Sequence, residues 1–149
     1  MILPTSRQNL QMVRTIVNDL HQQSLSESLL LQGKALAAAD VALVTVGETQ
    51  ATQWPTEVQA NFAATIQEAL TNVIRHAHAG KVTVSFYCEA GAYVVAIQDD
   101  GDGKHYEREY SNGVAGMQSR LASVHGHFRI AANRMGTLVT MKIPEGERV

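Results

Sequence analysis

The sequence predicts an α+β fold: a two-layer α/β sandwich in which helices cover one face of a mixed, mostly antiparallel sheet. Three observations lead there. A long 3.6-residue apolar periodicity occupies the middle of the chain, four of the five expected strands fall into two hairpins, and strand runs and helix runs cluster instead of alternating strictly. At 149 residues, 45% hydrophobic and 17% charged, the chain is one domain's worth, with enough apolar material for a real core.

The elements follow in order. Residues 7–22 place Leu10, Val13, Ile16, Val17 and Leu20 at three- and four-residue steps, a narrow seam suited to lying against another helix. We read 1–22 as an N-terminal helix or the remnant of a longer one, and 23–149 as the domain proper. Ser24-Leu25-Ser26-Glu27 is a capping-box pattern opening a helix through about Ala39, and the β-branched run Val41 to Val46 is a short strand. Gly47 to Pro55 reads as polar loop, and Thr56-Glu57-Val58-Gln59 as a second capping box. The helix it starts runs from about Glu57 to Ala79, with Gly80 as its stop. Alternation in Lys81 to Cys88 and in Tyr93 to Ile97 predicts a hairpin about Glu89-Ala90-Gly91, with Cys88 pointing inward. Residues 99–113 are loop, Ala115 to Val124 helix with Gly126 as its stop, and Phe128 to Ala132 with Thr137 to Ile143 a last hairpin.

The formal net charge of −2 gives no electrostatic argument for nucleic acid or an anionic membrane. A single cysteine, Cys88, cannot form an internal disulfide, so a reducing cytoplasm is the expected setting. No apolar run reaches the ~18–20 residues of a membrane span.

Three stretches carry chemistry. On the long helix, Phe62, Ile66, Ala69, Leu70, Val73, Ile74 and Ala77 share a core stripe, while Glu68, Asn72, Arg75 and His76 gather within a roughly 100° arc opposite it. An acid, a neutral oxygen donor and two basic groups in a row suit a divalent cation and the phosphates it bridges, because Mg²⁺ takes hard oxygen ligands and keeps several waters. Asp99-Asp100-Gly101-Asp102-Gly103 follows an apolar strand. A carboxylate there can accept from an exocyclic amine, and the glycines let backbone approach a flat ring. A calcium loop is not supported, since the twelfth position from Asp99 is Tyr110 where a Glu is required. Gly113-Val114-Ala115-Gly116-Met117 stands at a helix start, where free N–H groups and the helix dipole favour anions.

These pieces, followed by Gly136-Thr137 on a late strand, occur in an order that resembles the Bergerat-type ATP-binding fold. Gyrase-type ATPases, the ninety-kilodalton heat-shock chaperones, MutL proteins and sensor histidine kinases share it. EALTNVIRHAHA, IQDDGDG, GVAGMQSRL and GTLVTMKIP look most like the catalytic domain of nitrate-sensor-type histidine kinases, over about residues 24–144. The resemblance implies ATP and Mg²⁺ as ligands. It implies Asn72 as the metal ligand, with Glu68 as an acid that orients water or supports the ion. Arg75 and His76 would lie toward the phosphates, Asp99 would take the adenine amine, and Thr137 would assist it. Gly101 and Gly103 would make room for the ring, Gly113, Gly116 and the amides through Met117 would face the phosphates, and Lys104 to Asn112 would form a lid.

Its implied partners are dimerisation helices bearing an acceptor histidine and a response regulator with a helix-turn-helix output. Direct nucleic-acid binding and membrane contact by this domain are not expected, although a longer parent protein is open to membrane anchorage. Two departures stand out. Ser111 occupies a position where such kinases often carry a further glycine, and His21 is followed by Gln22 and Gln23 instead of an acid, so it is not the acceptor. The rival readings are a stand-alone serine kinase of the anti-sigma-factor type and a degenerate nucleotide-binding scaffold.

Overall fold

The computed structural model describes residues 24–102 and 111–146. The N-terminal helix expected over 7–22, Gly103 and the greater part of the expected lid lie outside them. Helix α1 (Leu25–Ala38) is capped by Ser24, whose Oγ accepts from the Glu27 amide at 3.1 Å, as the capping-box pattern requires. It ends in a Schellman motif (Asp40 at φ 62°, Val41 N–H on the Leu36 carbonyl at 2.8 Å), which turns the chain into β1 (Ala42–Val46).

The next segment departs from the polar loop expected. Glu48–Ala51 forms a short helix, α2, whose Ala51 is buried, and Trp54 goes into the core against Phe62, Phe86 and Tyr93, at centroid distances of 5.8, 6.1 and 5.1 Å. That packing also alters the start of the long helix α3 (Thr56–Asn72). Pro55 takes the N-cap position, and Gln59 Nε2 donates to the Trp54 carbonyl at 2.8 Å instead of closing a capping box on Thr56. Burying Trp54 leaves its carbonyl needing a donor, and the Gln59 amide is within one helical turn.

The α-helix does not continue to Ala79. It widens into a π-helical turn over Val73–Ala77 and stops at His78, which takes the left-handed conformation (φ 53°, ψ 38°), so the terminator is a histidine and not Gly80. Strand β2 (Lys81–Glu89) pairs with β1 in parallel and with β3 (Ala92–Asp99) in antiparallel register. Helix α4 (Ser111–Ala122) starts four residues before the predicted Ala115, and β4 (His127–Asn133) and β5 (Gly136–Pro144) form the second hairpin. The sheet order is β1-β2-β3-β5-β4, one parallel pair in an otherwise antiparallel sheet.

The core lies between the sheet and the helices. Phe62, Ile66 and Leu70 of α3, Leu29 and Leu36 of α1, and Met117 and Leu121 of α4 meet Val82, Val84, Ile97, Val139 and Met141 of the sheet. Alternation decides which face a strand residue points to but not whether anything covers it. Cys88 follows Phe86 on the inward face yet is exposed, because it sits at the hairpin end of the sheet. Among the described residues no helix is long and apolar enough to cross a membrane.

Candidate functional site

Four polar side chains are buried among the described residues: Thr65, Asn72, Asp99 and Thr137. Burying a polar group without a partner costs roughly 1–3 kcal/mol, so the disposition of these four is informative. Thr65 is settled by its own helix, since its hydroxyl lies 3.0 Å from both the Asn61 and the Phe62 carbonyls. The other three are residues the sequence reading assigned to nucleotide.

Asp99 is the last residue of β3 and lies opposite Thr137 in the register with β5. One carboxylate oxygen, Oδ1, accepts from the Gly101 amide at 2.9 Å and from the Thr137 amide at 3.2 Å. The acid is thereby fixed between its own loop and the neighbouring strand. Gly136 explains why the next strand begins with glycine. Its φ is 142°, and a Cβ there would fall 2.0 Å from the Asp99 carbonyl oxygen. The sequence pattern placed Gly136-Thr137 only on a late strand; the reason for the glycine is close approach to the acid, which only a register can reveal.

Two buried atoms have no hydrogen-bond partner among the described residues: Thr137 Oγ1 and Asn72 Nδ2. Asn72 ends the α-helical part of α3, 4% exposed, so it belongs to the edge of the buried stripe and not to the solvated arc expected for it. Glu68 and Arg75 do lie on the exposed side. The expected arc is therefore divided: positions four and three residues from Asn72 are wet, and Asn72 itself is dry. The π-helical turn after Asn72 also breaks the 3.6-residue spacing on which that arc was drawn. The side chain of His76 lies outside what is described.

Gly101 is buried beside the Asp99 carboxylate that its amide contacts. Gly113 is the third residue of α4, within the first turn whose amides lack intrahelical acceptors, whereas Gly116 is a turn further in. Gly116 is exposed, and a Cβ added to it would meet nothing within 4 Å among the described residues, so their packing does not demand a glycine there. Met117 points into the core at 2% exposure, below the helix start it was grouped with.

Sequence reasoning missed Asp100 and the joint it closes. Asp100 Oδ1 accepts from the Gly80 amide at 2.8 Å and the Lys81 amide at 3.0 Å. The Lys81 amide above all, helped by that of Gly80 and opposed by partial desolvation, holds its carboxyl below the ordinary carboxylate range. Next along, Asp102 Oδ2 lies 3.3 Å from His78 Nδ1 at an exposed position. The only hint in the sequence is that an acid adjoins Asp99.

The donor set is tested against the ligands the resemblance implies by its chemistry. A buried carboxylate, an orphaned hydroxyl on the facing strand and an orphaned amide on the helix suit a polar aromatic ring and a hard cation. A half-turn of the Asn72 amide brings its oxygen to the position of Nδ2. Among the described residues no group of three or more His, Cys, Asp and Glu is placed to hold an ion. A cation at Asn72 would therefore take most of its ligands from phosphate and water, as Mg²⁺ commonly does.

A two-layer sandwich with one parallel pair and a buried acid ending its central strand defines the class of protein. Residues 31–142 match the histidine kinase-like ATPase domain family, and the chain belongs to it. Over 140 residues it is 28% identical to the sensor histidine kinase YvfT of Bacillus subtilis (strain 168), covering 94% of this chain and 38% of that protein. The sensor histidine kinase DesK of the same organism is 29% identical over 150 residues, covering 97% of this chain and 39% of the relative. This chain thus spans under two fifths of the length of these relatives. Among solved structures, the histidine kinase domain of the Erythrobacter litoralis EL346 blue-light activated histidine kinase superposes with a TM-score of 0.64 at 16% identity, over 81% of this chain and 61% of that one. Acinetobacter baumannii histidine kinase AdeS gives 0.63 at 17% identity, over 93% and 81%. At such identities the structural likeness speaks for the fold.

Proposed function

We propose that this domain binds Mg·ATP and donates the γ-phosphoryl group to a histidine on the dimerisation helices of a two-component sensor, from which a response regulator with a helix-turn-helix output is charged. Family membership supports nucleotide binding. The observation that carries the finer reading is the buried polar set: among the described residues, three of the four buried polar side chains are the ones assigned to nucleotide, and two of them keep an atom with no partner there.

In this reading Asp99 accepts the adenine amine, held for it by the Gly101 and Thr137 amides, and the Thr137 hydroxyl completes that end. The Asn72 amide oxygen ligates Mg²⁺, and exposed Glu68 orients a water or supports the ion. Gly101 and Gly103 give the ring room, and Arg75, His76, Gly113 and Gly116 belong to the phosphate end. Phosphoryl transfer asks of a protein mainly positioning and charge neutralisation; Asp99 and Asn72 supply the positioning, and Mg²⁺ with Arg75 would supply the neutralisation. The setting proposed is cytoplasmic.

Titration calorimetry tests it. Asn72→Ala is expected to abolish the metal-dependent part of ATP affinity, and Asp99→Asn to weaken ADP with or without Mg²⁺. Wild-type affinity in both variants would remove the assignment. After incubation with ATP and candidate sensor helices, the phosphate on the acceptor is expected to be lost on acid treatment, as phosphohistidine is and phosphoserine is not.

A further inference from the structure

Asn72 and Asp99 sit on different segments, one at the end of α3 and one at the end of β3. Core packing of Leu70 and Val73 with Val82 and Ile97 sets α3 on the sheet, and hydrogen bonds join the two chain ends directly. The chain after Asn72 passes through the π-helical turn Val73–Ala77, the left-handed His78 and half-buried Ala79 before β2 begins at Lys81. The chain after Asp99 passes at once into residue 100. The two paths meet there. The Asp100 amide donates to the Lys81 carbonyl at 3.2 Å, and Asp100 Oδ1 takes the Gly80 and Lys81 amides at 2.8 and 3.0 Å. The Gly80 carbonyl in turn accepts from the Ala42 amide at 2.9 Å, which ties the same joint to β1. Asp102 and His78, at 3.3 Å, span the same gap from the solvent side.

We propose that Asp100 is a positioning residue for the nucleotide site: its carboxylate clasps the α3-to-β2 joint to the end of β3 and so fixes the separation between the Asn72 end and the Asp99 end. The inference rests on the nucleotide reading given above. Asp100 is exposed, so its contribution runs through two backbone amides and not through core packing. Two consecutive N–H groups converging on one oxygen require an acceptor of the length of Asp. Asparagine carries such an oxygen at the same reach; alanine has none, and glutamate is a methylene too long.

The test compares Asp100→Asn, Asp100→Ala and Asp100→Glu by calorimetry with metal-free ADP and with Mg·ATP, beside thermal melts of each. Asp100→Asn is expected to bind both as the wild type does. Asp100→Ala and Asp100→Glu are expected to lose about tenfold in Mg·ATP affinity, which needs both ends at once, and less in metal-free ADP affinity, which needs only the Asp99 end. The loss should persist well below the melting temperature, where a purely stabilising residue leaves affinity unchanged. Folded Ala and Glu variants with wild-type affinities would overturn the proposal, as would an Asn variant weakened as much as the Glu variant; this last comparison stands even where Asp100→Ala fails to fold. A wild-type protein that binds neither nucleotide would instead defeat the functional reading itself.

Discussion

The two ends of β3 are built from similar sequence chemistry and do opposite things. At its start a two-residue turn joins it to β2. Ala90 and Gly91 both take positive φ, 51° and 76°, the pattern of the type I′ turn that suits the strands' twist. A Cβ at Gly91 would meet nothing within 4 Å, and Cys88 and Glu89 beside it are exposed. At the other end Gly136 also takes positive φ, but there the backbone of β5 lies on that of Asp99 with no room for a methyl group. One end is a hinge of chain direction with solvent around it. The other is a packed joint that holds an acid and two polar atoms out of water. A glycine in a turn is thus uninformative until its surroundings are known: Gly91 serves the local turn, and Gly136 serves the site.

That contrast can be broken or sharpened by substitution. The largest effect is expected from Gly136→Ala. With a Cβ 2.0 Å from backbone, the strand must shift, costing about 3 kcal/mol or more in denaturant unfolding and removing nucleotide binding with it. A variant as stable as the wild type would mean that the two glycines are equivalent after all. Thr137→Val is expected to reverse the usual sign. Removing a buried hydroxyl with no partner should stabilise the free protein by about 1 kcal/mol while weakening ADP binding. A destabilised valine variant would show the hydroxyl to be satisfied in solution.

At the open end the cost is confined to the turn. Gly91→Ala should lose about 1 kcal/mol for placing a Cβ at φ 76°, with nucleotide affinity unchanged. The smallest effect concerns acid. The Lys81 and Gly80 amides lower the Asp100 pKa, so its contribution to stability is fully present above the unfolded value near ~3.9 and is lost as pH falls through the lower folded value. Asp100→Asn should therefore be slightly less stable than the wild type at neutral pH and show a flatter acid limb below about pH 4, where the two proteins converge. An unchanged acid limb would remove Asp100 from the joint.

Much of the fold was legible because it is written in local periods. The α3 stripe of Phe62, Ile66, Ala69 and Leu70 and the alternation of Val82, Val84 and Phe86 gave helix, strand and inward face alike. Errors fell where tertiary contacts overrode local chemistry. Trp54, a lone aromatic among polar residues, drew Gly47 to Pro55 toward the core and supplied the carbonyl that took Gln59 from its capping box. Cys88 kept its face but lost its cover, and the helix after Asn72 changed pitch without any glycine or proline to announce it. For the site, the residue types of Asn72, Asp99 and Thr137 could be read from their motifs, whereas the dryness of Asn72 and the duty of Asp100 could not.

By itself the sequence determined the longer helices and the strands, the two hairpins and the candidate ligands, though not α2 or the π-helical turn, since helical and strand periods and turn residues act over a few positions. The tertiary structure alone decided that β3 pairs with β5 and not only with its hairpin partner β2, which sets Asp99 opposite Thr137 and puts Gly136 on the acid's carbonyl. Pairing across a long connection depends on which faces bury the most apolar surface together, and that balance is struck by the whole chain at once.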